Sequence, residues 1–92
     1  MLTAIVLINA DVDAIPEVAQ AIADLDGVSE VYSVTGDIDL VALVRVREYD
    51  DLAVVVSDRL GKVAGVRSMR THIAFRSFSA VDLEEAFHLG LE

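Results

Sequence analysis

The sequence contains no cysteine and, before Val44, no lysine or arginine. Without cysteine the chain can form neither a disulfide framework nor a thiolate metal site, which is typical of a protein in a reducing compartment. The opening apolar run, residues 4–8, is too short to span a membrane, and no basic residue precedes it as in a secretory signal. These absences predict a cytoplasmic protein with no membrane partner.

The charge balance is strongly acidic. Seven basic and sixteen acidic residues give a formal net charge of −9 at pH 7. Proteins that bind nucleic acid gain much of their affinity from clustered Lys and Arg on phosphates, so direct binding to nucleic acid is not expected. The length of 92 residues predicts one domain over residues 1–92, and 54% of them are hydrophobic. That share exceeds what a small domain needs for its own core, so a partner is expected to cover some apolar surface.

Hydrophobic periodicity gives the order of the elements. Runs rich in β-branched and aliphatic residues predict strands over residues 2–8, 28–35, 38–47 and 66 to about 78. Apolar residues at helical spacing predict one helix over residues 13–25, with Asp13 as its N-cap, and another from Asp50 or Asp51 to about Leu60. A capping box at Ser79 and Asp82 predicts a short C-terminal helix with Leu83, Ala86 and Phe87 on one stripe.

This order predicts an α+β fold of the ferredoxin-like type, βαββαβ, with a four-stranded antiparallel sheet and both helices on one face. The Gly-Val pair at residues 27–28 recurs at residues 65–66, so the chain has two similar halves. The first and third strands are apolar on both of their alternating faces, although the helices cover only one face of the sheet. A homodimer packed sheet to sheet is therefore expected.

The sequence "VTGDIDLVALV", residues 34–44, is the most distinctive stretch. One interpretation is a hairpin turn, in which Gly36 supplies a positive φ and Asp37 bonds its own backbone. Another is that backbone N–H groups and carboxylates at this turn hold an amino-acid-like ligand, with the ammonium on an aspartate. A calcium loop is not expected, because the stretch after Asp39 is wholly apolar. The residues alone leave the first two interpretations open.

Other chemistry finds no support. The two histidines, His72 and His88, lie in different predicted elements with no recognisable nucleophile beside them, so no catalytic residue is assigned. The GDIDL stretch lacks the further glycines and the lysine of a nucleotide-binding loop. We therefore predict no metal, no cofactor and no enzymatic activity.

Two stretches resemble the effector-binding domain, or RAM domain, of the leucine- and asparagine-responsive (Lrp/AsnC) transcription regulators. They are "DLDGVSEVYSVTGDIDLVALVRV" and "VAGVRSMRTHIAF". Full-length members of that family carry an N-terminal DNA-binding winged helix, for which the residues before the first strand leave no room. The chain thus resembles a stand-alone effector domain.

The resemblance implies dimers joined through their sheets, further assembly into an oligomer such as an octamer, and a small amino acid bound where dimers meet. Carried over residue by residue, it implies a ligand site of Gly36, Asp37, Ile38 and Asp39, with Thr71 as a polar contact and Met69 as a pocket wall. A full-length Lrp/AsnC regulator is a further expected partner. Ile38 stands where many relatives have an aromatic residue, which bears on pocket size.

Two alternatives share this fold. One is a small enzyme of the dimeric α/β-barrel type, such as a cofactor-free monooxygenase or isomerase, which a deep pocket around His72 between helices and sheet would favour. The other is a purely structural oligomerisation module. A ligand site beside Gly36 at a seam between dimers would favour the sensor.

Overall fold

The structure is a computed structural model that describes residues 1–80. Its four strands are β1 (Leu2–Ala10), β2 (Val28–Ser33), β3 (Leu40–Val46) and β4 (Val66–Ile73). Helix α1 (Ile15–Ala23) follows a 3-10 turn (Val12–Ala14), and helix α2 (Tyr49–Ala53) continues as a π-helical segment (Val54–Arg59) and a 3-10 turn (Leu60–Lys62).

The strands form one sheet in the order β2-β3-β1-β4. Each neighbouring pair is antiparallel, with Val6 of β1 opposite Ala42 of β3 on one side and Thr71 of β4 on the other. The sheet therefore has β1 and β3 in its centre and β2 and β4 at its edges. The predicted α+β, ferredoxin-like fold is confirmed.

The core lies between this sheet and the helices. Side chains alternate between the two faces of a strand, so every second residue of β1 and β3 points to the helices. Those residues are buried: Ala4, Val6, Ile8, Ala10, Leu40, Ala42, Val44 and Val46. The helices contribute Val18, Ile22, Leu52, Val55, Val56 and Leu60. Full burial of a Val, Leu or Ile side chain contributes about 1.5–3 kcal/mol to the stability of the fold. This burial holds the sheet and the helices together.

The start of the first helix differs from the prediction. Asp13 lies within the 3-10 turn and makes no capping hydrogen bond, and Ala14 precedes the helix instead. The backbone explains the difference, because the Asp11 N–H donates to the Gly65 carbonyl at 2.8 Å and the Ala14 N–H donates to the Asp11 carbonyl at 3.0 Å. The chain thus tightens into a turn at Asp11 before the helix begins, and the prediction of Asp13 as N-cap was wrong.

Strand ends also differ. β1 runs two residues beyond its predicted end, whereas β2 and β3 are shorter and leave a six-residue connection, residues 34–39. β4 ends at Ile73, not near Phe78, because its last contact with β1 is the Ala74 N–H on the Thr3 carbonyl at 2.9 Å and β1 begins at Leu2. In this register Leu2, the first residue of β1, lies opposite residue 75, so β1 cannot continue the ladder as far as Phe78.

The predicted C-terminal helix, with Leu83, Ala86 and Phe87, lies outside the described residues. The second helix buries the predicted face of Leu52, Val55, Val56 and Leu60. Among residues 1–80, no helix has both the length and the apolar character to cross a membrane.

Candidate functional site

The connection between β2 and β3, residues 34–39, is held at its base by two backbone hydrogen bonds. The Val34 N–H donates to the Asp39 carbonyl at 3.0 Å, and the Asp39 N–H donates to the Ile8 carbonyl of β1, also at 3.0 Å. Gly36 at its tip has a φ of +113°, a conformation that favours glycine. A glycine-dependent turn at this position was one of the two interpretations of the sequence, and this part of it is confirmed.

Asp39 anchors the connection to the centre of the sheet. Its side chain is half-buried, and its Oδ2 accepts a hydrogen bond from the backbone N–H of Ala10 at 2.9 Å. Ala10 is the last residue of β1, and only 2% of its surface is exposed. A buried N–H without an acceptor is costly, so the Asp39 carboxylate has a structural role here.

Asp37 has a different environment, although it lies only two residues before Asp39. Its side chain is exposed, and its carboxylate accepts no hydrogen bond from residues 1–80. The bond to its own backbone that the turn interpretation predicted is therefore absent from this part of the chain. The backbone N–H groups of Gly36, Asp37 and Ile38 likewise donate to no acceptor within residues 1–80. The tip of the connection thus presents one negative side chain beside free N–H donors.

Met69 lies at the same end of the sheet as Asp39, on the other side of β1. Met69 pairs with Ile8, whose carbonyl accepts from Asp39, so both residues flank the same end of β1. The Met69 side chain is half-buried and packs against the core on the helix side of the sheet. The structure therefore brings Asp39 and Met69 to one end of the sheet, on the two neighbours of β1.

Thr71 lies further away. It pairs with Val6, two residues along β4 from Met69, which is about 6–7 Å at the usual rise of a strand. Its side chain is exposed and lines a groove of about 280 Å³ beside helix α2, together with Tyr49, Leu52, Val56 and Ile73. Within one chain, Thr71 faces this groove and not the tip of residues 34–39. The sequence analysis did not place Tyr49 beside Thr71. The alternation of side chains along β4 is the signal that would have placed Thr71 on the helix side of the sheet.

The sheet face opposite the helices has an apolar centre and a polar edge. Ile5 and Leu7 of β1 and Val41 and Leu43 of β3 are half-buried in its centre. The edge strands place polar residues on this face: Glu30 and Tyr32 on β2, and Ser68, Arg70 and His72 on β4. We call this surface the open face. An apolar centre within a polar rim is the usual anatomy of a protein interface.

A hydrogen bond on the open face shifts the pKa of a tyrosine. The Tyr32 hydroxyl donates a hydrogen bond to the Glu30 carboxylate, two residues away on the same side of β2. This bond, with the negative charge of Glu30, raises the pKa of Tyr32 above its usual value of 10.0, although Arg45 acts weakly in the other direction. The edge of the open face therefore carries an ordered polar pair.

His72 also lies on the open face, opposite Ile5, and is exposed. It does not lie between helices and sheet, which is the position that would have favoured the enzyme alternative. In the described part of the chain, no three acidic or histidine side chains converge as they would in a metal site.

Comparisons with known proteins agree with this architecture. The profile of the family described as "Lrp/AsnC ligand binding domain" matches residues 3–81. The protein TTHA0845 from Thermus thermophilus is 43% identical, with a TM-score of 0.80, over 86% of this chain and 99% of that one. No curated protein sequence matches the chain.

Two larger proteins share the fold at lower identity. AsnC from E. coli is 22% identical with a TM-score of 0.77, over 83% of this chain and 52% of AsnC. The transcriptional regulator NMB0573 from Neisseria meningitidis, whose structure is a complex with L-Met, is 18% identical with a TM-score of 0.75, over 85% of this chain and 52% of its own. The chain thus spans about half the length of these two regulators.

Proposed function

The chain belongs to the family of Lrp/AsnC ligand-binding domains, and we propose that it binds a free amino acid at the tip formed by Gly36, Asp37, Ile38 and Asp39. Membership of this family makes it a small-molecule sensing domain. The observation that carries the proposal is the contrast between two aspartates. Asp39 is engaged by the Ala10 N–H, whereas Asp37 is exposed and accepts no hydrogen bond within residues 1–80.

The tip complements both charged ends of an amino acid. The Asp37 carboxylate can accept a charge-assisted hydrogen bond from the ligand's ammonium group. The free N–H groups of Gly36, Asp37 and Ile38 can donate to its carboxylate, as successive backbone N–H groups do in anion-binding turns. The half-buried side chains of Ile38 and Met69 offer an apolar wall for the ligand's side chain.

A second copy is needed to enclose the ligand. The tip is exposed, and Thr71 faces away from it toward the groove beside α2. Thr71 therefore contacts the ligand only if another copy brings its β4 edge against the tip. A ligand site that includes Thr71, as the family resemblance implies, would therefore lie at a seam between dimers, within an assembly such as an octamer.

The dimer itself is proposed to form through the open face. Ile5, Leu7, Val41 and Leu43 form its apolar centre, and identical faces can cover each other around a two-fold axis. Ligand binding at the seam then shifts the assembly equilibrium, because a ligand favours whichever state binds it more tightly. A full-length Lrp/AsnC regulator, with which this domain would co-assemble through the same surfaces, is the proposed partner.

A thermal-shift screen of the wild-type protein against the twenty amino acids tests this function. A ligand present at about 100 times its Kd adds about 2.7 kcal/mol per site. For a domain of this size, that free energy raises the Tm by several degrees. L-Met, the ligand in the Neisseria complex, is in the panel. We expect a selective shift for one amino acid or one chemical class.

Two variants make the screen specific. Asp37→Ala should abolish the shift. Asp26→Ala should retain it, because Asp26 is also an exposed loop aspartate but precedes β2 at the other end of the β2–β3 hairpin. A flat panel with a folded, oligomeric wild-type protein would contradict amino-acid sensing and favour a structural oligomerisation module. An equal shift in Asp37→Ala would move the site elsewhere.

A further inference from the structure

The segment after β4 leaves the sheet with its aromatic side chains exposed, and the one ring contact that the described chain gives them is the Arg76 guanidinium, 5.9 Å from the centroid of Phe78 in the same segment. Ala74 makes the last ladder contact with Thr3, and the next residues, 75–78, continue beyond the sheet. We call residues 75–78 the arm. Phe75 has a relative exposure of 106% and Phe78 of 83%, the most exposed aromatic rings of the described chain. Two large rings in water are unfavourable, so the position of the arm requires an explanation.

The arm stands away from its own sheet. Between them lies an open cleft of about 780 Å³, lined on the sheet side by Thr3, Ile5, Leu43 and Arg45. Ile5 and Leu43 belong to the apolar centre of the open face. The open face therefore continues beneath the arm.

The reach of the arm matches the spacing of packed sheets. Four extended residues span about 13 Å, and two sheets packed face to face lie about 10 Å apart. An arm that leaves the edge of one sheet beyond Ala74 can therefore reach the sheet of a second copy packed on the open face. It would place its two rings on that copy while the copy's sheet fills the cleft.

The area that a stable dimer buries gives the arm a purpose. Stable interfaces bury about 800 Å² of accessible surface from each partner. Two phenylalanine side chains bury about 150–250 Å² each, so the two rings of one arm would supply about a third or more of that area.

We propose that the arm crosses to a second copy of this chain and packs Phe75 and Phe78 against that copy's sheet, so that each dimer is clasped by two exchanged arms. This inference rests on the sheet-to-sheet dimer proposed above. It adds that the arm, and not the sheet face alone, sets the affinity of the dimer.

The affinity of the dimer in full-length variants tests the arm. In sedimentation equilibrium, Phe75→Ser/Phe78→Ser should raise the Kd of the dimer about tenfold for each ring lost. Val12→Ser, which removes an exposed apolar side chain from the turn before helix α1, should leave this Kd unchanged. Circular dichroism and the Tm of the monomer establish that each variant is folded.

A cross-link identifies which copy the arm contacts. Full-length protein with the photoreactive residue p-benzoylphenylalanine at position 75 is prepared with ¹⁴N and with ¹⁵N, mixed, equilibrated and irradiated. Peptides that join a ¹⁴N arm to a ¹⁵N β1 or β3 are expected. Cross-links confined to one isotope, or an unchanged Kd in the double variant, would overturn the exchanged arm while leaving the dimer intact. A wild-type protein that is monomeric at all concentrations would overturn the dimer and this inference with it, whereas the amino-acid screen reports separately on ligand binding.

Discussion

The Asp39 carboxylate accepts a hydrogen bond from the Ala10 backbone N–H at 2.9 Å, which joins the β2–β3 connection to the last residue of β1. Asp39→Ala leaves that nearly buried N–H without an acceptor and should lower the free energy of unfolding by about 1–3 kcal/mol. Asp37→Ala removes no hydrogen bond to residues 1–80 and should change it by less than about 0.5 kcal/mol. Urea unfolding at equal protein concentration measures both variants, and equal losses would contradict the division of roles between the two aspartates.

Two of the three glycines with a positive φ in residues 1–80, Gly36 and Gly65, are expected to differ in their tolerance of a side chain. A Cβ at Gly65 would lie 2.5 Å from Cγ2 of the buried Val18, whereas a Cβ at Gly36 would meet no atom within 4 Å. Gly36→Ala should therefore cost only the strain of its positive φ, about 1 kcal/mol. Gly65→Ala adds a clash with the core and should cost at least about 1 kcal/mol more. Thermal unfolding that ranks the two variants in the opposite order would refute this assignment.

The open face is predicted to be the dimer interface. Leu43→Glu puts a charge in its apolar centre and should raise the Kd of the dimer more than tenfold, since an unpaired charge is costly in a desolvated interface. Val54→Glu is the matched control, because Val54 is exposed on the helix side. Light scattering after size exclusion separates the two cases, and dimers of Leu43→Glu with wild-type affinity would rule out this interface.

The Tyr32–Glu30 pair on the open face predicts a spectroscopic change. Because the hydrogen bond and negative charge of Glu30 favour the protonated hydroxyl, Glu30→Gln should lower the pKa of Tyr32 toward its usual value. An absorbance titration of tyrosinate measures this, with Tyr49→Phe in both proteins to isolate the signal. An unchanged titration curve would show that the pair does not form in solution.

Most of the fold follows from the local pattern of the sequence. Alternating apolar residues in β1 and β3 predict both the strands and the face that meets the helices, because a strand has a strict period of two. Leu52, Val55, Val56 and Leu60 likewise predict the buried face of the second helix, although its middle is π-helical. What the pattern cannot give is where a strand loses its partner, which is why β4 ends at Ile73 and not at Phe78.

The site was less accessible to sequence reasoning. The GDID stretch predicts a glycine turn correctly, but the Asp39 partner is a backbone group 29 residues away in the chain. Only the pairing of β1 with β3 brings the two together. For Asp13, the local pattern predicted a helix N-cap that the structure does not have. Asp13 lies instead in the 3-10 turn, which the hydrogen bond from the Asp11 N–H to the Gly65 carbonyl holds in place. Distant backbone contacts decided both outcomes.

If the tip of residues 36–38 holds the ligand, hydrogen exchange of its amides should slow when the ligand binds. These N–H groups donate to no acceptor within residues 1–80, so they should exchange rapidly without ligand. Each amino acid that raises the Tm is added to wild-type protein, and exchange is followed by mass spectrometry. We expect slower exchange in peptides that contain residues 36–38, in wild type and Asp26→Ala but not in Asp37→Ala. Protection confined to the groove beside Tyr49, with unchanged exchange at residues 36–38, would contradict it.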